Sequence, residues 1–252
     1  MSAAVVHDTR LVLQRELRPL LSEPFSVLFS LVQPLFFLAL FGPLLVSVSG
    51  LGEAASLQWF VPGILVMSAL FGASTTGANL SQEIHTGSHE RMLVTPLSRP
   101  ALLMGRALKE IVPVFAQAGL IVIAVVPFGF DPSPAGLIGL ALLAAFGVGL
   151  GSLSYALALA VKEQDWIFWT VQQTLLFPLM LLSGMLLPLD DGPGWLRAMA
   201  DVNPLKHLVD AERLLFAGTV GDTTVLYGAL AALGVAAVGV WVGIRGMRRA
   251  AA

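Results

Sequence analysis

AGLIGLALLAAFGVGLGSLSYALALAV, residues 135–161, runs for 27 residues without an Asp, Glu, Lys or Arg. Wound as a helix at about 1.5 Å per residue it reaches about 40 Å, enough to cross a ~30 Å hydrocarbon core with some tilt. Five further stretches carry no charge either: Phe25 to Ser49, Phe60 to Gln82, Ile111 to Phe130, Trp166 to Leu189 and Thr223 to Ile244. Together they predict an all-α integral membrane protein with six transmembrane helices. Pro34, Pro43, Pro62, Pro113 and Pro178 are expected to kink or locally break their helices, which membrane bundles tolerate when neighbours satisfy the freed carbonyls. Composition agrees: 56% of the 252 residues are hydrophobic and 12% are charged, against about 25% charged in a soluble domain. A soluble enzyme, a disordered tail and a fibrous repeat are excluded. The net charge of −2 offers no basic field for nucleic acid, and the absence of cysteine removes disulfides, thiolate metal sites and thiol nucleophiles.

Working outward, the connections set the orientation. Residues 1–24 lack a continuous apolar signal-peptide core and read as an interfacial helix. Val6, Thr9, Leu13 and Leu17 form one stripe, with Asp8, Gln14, Arg15 and Arg18 opposite, and Pro19 and Pro24 are expected to break the helix. With the N-terminus inside, the inner segments hold eleven basic residues and the outer ones three, Arg197, Lys206 and Arg213. The positive-inside rule then puts both termini in the cytoplasm.

Two connections exceed plain turns. The inner one, 83–110, reads EIHTGSHERMLVTPLSRPALLMGRALKE, with Gly87 and Pro96 bracketing a short helical stretch that projects into the cytoplasm. The outer one, 190–222, opens on DDGPG, passes through an amphipathic Trp195 to Ala200 and restarts at Asn203. Asn203 suits an N-cap, Pro204 the first helical position and Gly218 the stop. Leu205, Leu208, Val209 and Phe216 share one face, while Lys206, Asp210 and Arg213 share the other. The segment reads as an extracellular helical hairpin in the outer leaflet. Glu212 falls on its apolar face, where an unpaired carboxylate is costly. It is expected to find a partner on another element, to line a polar exit, or to sit wet among headgroups.

The chemistry follows largely by exclusion. Ion-driven transporters usually carry ionisable groups inside their spans, and these spans have none, although sodium bound by carbonyls and hydroxyls keeps an ion-coupled alternative open. No lysine stands in a G-x-x-x-x-G-K-[ST] loop, so the chain has no P-loop ATPase of its own. His85 and His89 are four apart, but HTGSHE lacks the H-E-x-x-H order and a third ligand, so no metal is expected. No serine lies in G-x-S-x-G, and no catalytic constellation is expected.

The amphipathic RLVLQRELR, the inner GSHERMLVTPLSR with its following MGR, and the outer LSGMLLPLD, PGWLR and NPLKHLVDAERLL occur in order along nearly the whole chain. This combination resembles the permease subunit of type-2 ABC exporters, most of all the daunorubicin and multidrug-resistance branch. The resemblance implies a six-helix half-transporter in the bacterial cell membrane, paired with a second permease protomer as a homodimer or heterodimer. It also implies two copies of a separately encoded ATPase that binds the ATP and Mg, this chain holding no cofactor. In such exporters the loop after the second span is a coupling helix docked on the ATPase. Gly87, Glu90, Arg91, Leu93, Thr95 and Pro96 are the matching positions, with Met92 and Leu93 as apolar anchors and Glu90 and Arg91 as rim charges. The 162–165 turn would be a second, minor contact.

The substrate path is less marked. Ser68, Gly72, Thr75, Thr76 and Asn79 share a face of the second span, and Gln172, Gln173, Met180, Ser183 and Gly184 share one of the fifth. Helix packing and substrate contact both explain such faces. Uncharged spans favour a lipophilic cargo, drug or lipid, with polysaccharide export as the alternative within the same architecture.

Overall fold

The computed structural model describes residues 3–22, 31–49, 52–95, 99–161, 164–189 and 192–249, and helices account for most of these. In order they are α1 (Ala3–Ser22), α2 (Val32–Ser49), α3 (Glu53–His85), α4 (Ser88–Leu93), α5 (Arg99–Leu108) and α6 (Ile111–Val125). A 3-10 turn (Val126–Phe128) leads to α7 (Gly136–Val161), α8 (Asp165–Leu181), α9 (Gly194–Asp201), α10 (Pro204–Phe216) and α11 (Thr223–Arg249). Among the described residues four stretches are long and apolar enough to cross a membrane: Ala54–His85, Ala101–Phe128, Gly136–Val161 and Thr223–Arg249, with a shorter apolar one at Val32–Leu44.

The 135–161 stretch becomes the axis of the bundle. Small residues let its neighbours approach to backbone distance, the main device for helix association where lipid removes the hydrophobic drive. A Cβ on Gly149 would sit 2.5 Å from the Val235 carbonyl oxygen of α11, and one on Gly239 would strike the Gly149 carbonyl. On the other side Gly77 of α3 meets Ser154. The Ser154 hydroxyl accepts from the Gly77 N–H at 3.1 Å and donates to the Ser74 carbonyl at 2.7 Å. The apolar core gathers Phe60 to Leu70 of α3 with Ile121, Phe130, Leu143, Phe146, Leu208 and Val209.

Four expectations need correction. The helix of the fifth uncharged stretch, α8, ends at Leu181, short of Leu189, because Pro178 cannot donate in the last turn and Gly184 takes φ 72, so the chain bends. The helix of the third stretch, α6, ends at Val125, where Pro127 enters a 3-10 turn and Gly129 takes φ 98, while the apolar stretch runs on to Phe128. Pro19 does not stop α1, which runs to Ser22; Pro24 lies outside the described residues. The buried stripe of α1 is Thr9 and Val12, with Val6 56% exposed. The cause is Gly105 of α5, where a Cβ would stand 2.6 Å from Val12, so the two helices meet at Val12.

Candidate functional site

Two regions carry the polar chemistry, one at the end of the bundle that holds the 83–110 connection, labelled inner, and one at the end that holds 190–222, labelled outer. At the inner end, α3 stops at His85, the chain reverses at Gly87 with φ 68, and α4 begins. Only glycine takes that left-handed turn without strain. Arg91 is exposed on α4, and Val94 just beyond it is 86% exposed, an apolar side chain held out in the open. The Thr95 hydroxyl donates to the Met92 carbonyl at 2.6 Å and closes the helix end. The side chains of Glu90 and Leu93, and Pro96 altogether, lie outside the described residues.

The root of this projection is tied into the bundle by charges. Arg15 of α1 contacts the Met92 sulfur of α4 and lies 3.9 Å from Glu83 of α3. Arg106 of α5 is 3% exposed, pairs with Glu83, stands 3.3 Å from Glu16 of α1 and covers the Tyr155 ring of α7 at 5.4 Å. Lys109 reaches Glu16 at 3.6 Å. Thr76 donates to the buried Glu110 carboxylate, and Gly151 opposite leaves room for both. Three helices, α1, α3 and α5, are thereby joined through mutually compensated charges, which is how buried ions persist in a low-dielectric setting. Nearby, Asp165 accepts from Ser81 and pairs with His85 at 2.9 Å, fastening α8 to the end of α3. Ser81 and then His85 hold the Asp165 carboxyl below its ordinary range.

Sequence reasoning missed Glu16, Glu83, Arg106, Lys109, Glu110 and Tyr155 as a cluster. The available signal was the spacing of Arg106, Lys109 and Glu110, which puts three ionisable groups on adjoining turns just before an uncharged run.

The second- and fifth-span faces divide. Ser68 and the exposed Thr75 line a cavity of about 160 Å³ together with Gln33, Phe71, Gly72 and Gln117. Thr76 and Gln172 turn inward: Thr76 to Glu110, and Gln172 to within 3.2 Å of the Ser154 hydroxyl. Asn79 and Gln173 are exposed, and Met180 is buried in the core.

At the outer end α9 and α10 form the hairpin. The Asn203 side chain caps α10 by accepting from the Leu205 N–H at 3.0 Å, and its amide donates to the Leu179 carbonyl of α8 at 2.7 Å. Pro204 occupies the first turn and Gly218 takes φ 91 at the stop. Arg213 lies 3.8 Å over the Trp59 ring and donates to the carbonyls of Trp59 at 3.0 Å and Gly184 at 2.8 Å. Glu212 departs from two expectations, since it is 0% exposed and, among the described residues, neither carboxylate oxygen has a hydrogen-bond partner. It faces Gly139 of α7, where a Cβ would collide with the carboxylate.

Residues 7–216 match the ABC-2 type transporter family. The chain is 28% identical over 222 residues to the daunorubicin resistance ABC transporter permease protein DrrB1 of Streptomyces coeruleorubidus, covering 87% of this chain and 78% of that one. It is 31% identical over 201 residues to the putative transport permease ycf38 of Cyanophora paradoxa, covering 77% and 69%. Against the probable multidrug ABC transporter permease YbhR of Escherichia coli K12 the identity is 26% over 165 residues, covering 63% of this chain and 44% of YbhR. With several helices long and apolar enough to cross a bilayer, this is a multi-pass membrane protein, and the chain belongs to the ABC-2 type transporter family of permeases.

Proposed function

We propose that the chain is the membrane-spanning subunit of an ATP-driven exporter. It would span the bacterial cell membrane six times with both termini in the cytoplasm, pair with a second permease protomer, and move a lipophilic drug or lipid outward. The observation that carries the reading is the inner end: an exposed α4 tip of Arg91 and Val94 whose root is cross-linked by Arg15, Glu83, Glu16 and Arg106 to three other helices. A short helix presenting an apolar tip beside a charge suits docking into a groove on a partner. The ionic root suits transmission, because a push on α4 reaches α1, α3 and α5 as one body. Two copies of a separate ATPase, which hold the ATP and Mg, would supply the push. The cavity beside Ser68 and Thr75 is the first place to look for cargo.

The test is to extract the tagged chain from its native membrane in mild detergent, identify what co-purifies and measure ATP hydrolysis. A P-loop ATPase with vanadate-sensitive turnover, detached or uncoupled by the Glu90→Ala/Arg91→Ala double variant while insertion persists, is the expected result. Recovery of the chain alone without turnover, or normal coupling in the double variant, contradicts it.

A further inference from the structure

Among the described residues Glu212 is the one carboxyl that is wholly enclosed without a compensating charge or hydrogen bond. The same helix face buries Leu205, Leu208, Val209, Leu215 and Phe216, so the carboxyl sits in an apolar seam between α10 and α7. Gly139 makes the space: any side chain there would occupy the carboxylate's position. Because Glu212 is 0% exposed, no second protomer, lipid headgroup or solvent molecule can reach it while α10 is seated.

Among the described residues no charged group on the surrounding elements pairs with Glu212. On α10 itself, Lys206 pairs with Asp201 of α9 at 2.6 Å, and His207 contacts the Asp201 carbonyl and the Tyr227 ring of α11. Asp210 pairs with Arg213 at 3.4 Å, and Arg213 is clamped on Trp59. The ionisable residue of α7 is Tyr155, beside Arg106 at the inner end, where Glu83 and His85 of α3 and Arg245, Arg248 and Arg249 of α11 also lie; α3 begins at Glu53, and Arg197 is on α9. Burial alone acts on the carboxyl and raises it from 4.5 to about 8.

An ionised carboxylate cannot be kept in such a seam without a partner, whereas a protonated one costs far less. From this geometry we infer that Glu212 is a proton-binding site of the outer hairpin, which holds a proton while α10 is seated on α7 and releases it to water when the helices part. Parting by roughly 3 Å, one water diameter, is enough to wet the group. The proton passes from the carboxyl to the solvent on the hairpin's side, and reseating takes one back. Opening therefore becomes easier as pH rises, by about tenfold per unit, between the wet value near 4.5 and the seated value of about 8. Below that window both forms are protonated, above it both are ionised, and the dependence vanishes. The inference rests on hairpin packing and needs no ATPase, so its failure is separable from failure of the exporter reading.

The chain has no cysteine, so a single introduced thiol reports cleanly. Leu208 is 0% exposed one turn from Glu212, and Val220 lies in the open loop beyond the hairpin. Leu208→Cys and Val220→Cys variants in lipid nanodiscs would be labelled with a charged thiol reagent from about pH 5.5 to about pH 7.5. Dividing the first rate by the second removes the intrinsic ionisation of the thiol. The ratio is expected to rise about tenfold per unit and to lose that slope when Glu212→Gln is added. A flat ratio with Glu212 intact overturns the inference even if the Gln variant fails to fold. An equal slope in the Gln background overturns it as well.

Discussion

The two ends of this molecule bury ionisable groups in opposite ways. At the inner end Arg106, Glu16 and Glu83, from three helices, and Lys109, in the turn after α5, neutralise one another. At the outer end Glu212 is enclosed alone, while Arg213 one residue on is held by a ring and two carbonyls. A compensated cluster resists separation, since parting its members strands each charge. A lone carboxyl favours separation whenever it can ionise. The inner end is thus built to move as a unit, and the outer end to come apart.

The largest expected effect breaks the inner half of that contrast. Arg106→Ala leaves Glu16 with Lys109 and Glu83 with Arg15 at 3.9 Å, removes the buried centre of the cluster and should cost about 3 kcal/mol, read as a lower unfolding midpoint of the purified protein. Exchanging Arg106 for Met together with Glu16→Leu, Glu83→Leu and Lys109→Met should recover most of the loss, because the paired charges are then removed as a set. Next, Arg213→Ala removes a cation–π contact and two carbonyl bonds from the hairpin and should cost about 2 to 3 kcal/mol. Hydrogen exchange should quicken in residues 204–216 while the inner ends of α3 and α5 stay protected.

Glu212 sharpens the outer half with a sign. Its folded carboxyl is raised to about 8, so the folded chain holds a proton that the unfolded chain has released between about 4.5 and 8. Stability from this group is present at low pH and is lost as pH rises through that window, by about 1.4 kcal/mol per unit at most. Glu212→Leu should therefore raise the melting temperature near pH 8 and change it less near pH 5. The smallest effect belongs to the exposed pair of Lys206 and Asp201, where Asp201→Asn should leave the melting curve unchanged within error.

Much of this architecture was legible in the sequence because it depends on local rules. Asn203, Pro204 and Gly218 bound a helix by capping chemistry, and Gly87 turns the inner loop through the left-handed region. The uncharged runs mark the long helices. What stayed hidden was tertiary. Val12 replaces Val6 on the buried stripe of α1 because Gly105, ninety residues on, opens the space. Glu16, Glu83 and Arg106 each read as a flanking surface charge, and only the fold brings them together. For Glu212 helical phase placed the carboxyl on the apolar face, yet the absence of a partner depends on what α7 presents there, which is Gly139. The early end of α8 arises from Pro178 and the Gly184 bend acting together.

Under the proposed exporter function the two ends are joined: force applied at α4 travels through the inner cluster and parts the outer hairpin from α7. The most direct test is the rate of thiol labelling at Leu208→Cys in nanodiscs holding the permease with its ATPase, with and without Mg-ATP. The account predicts faster labelling during turnover, as the seam opens to water. A rate unmoved by Mg-ATP while hydrolysis proceeds would contradict it.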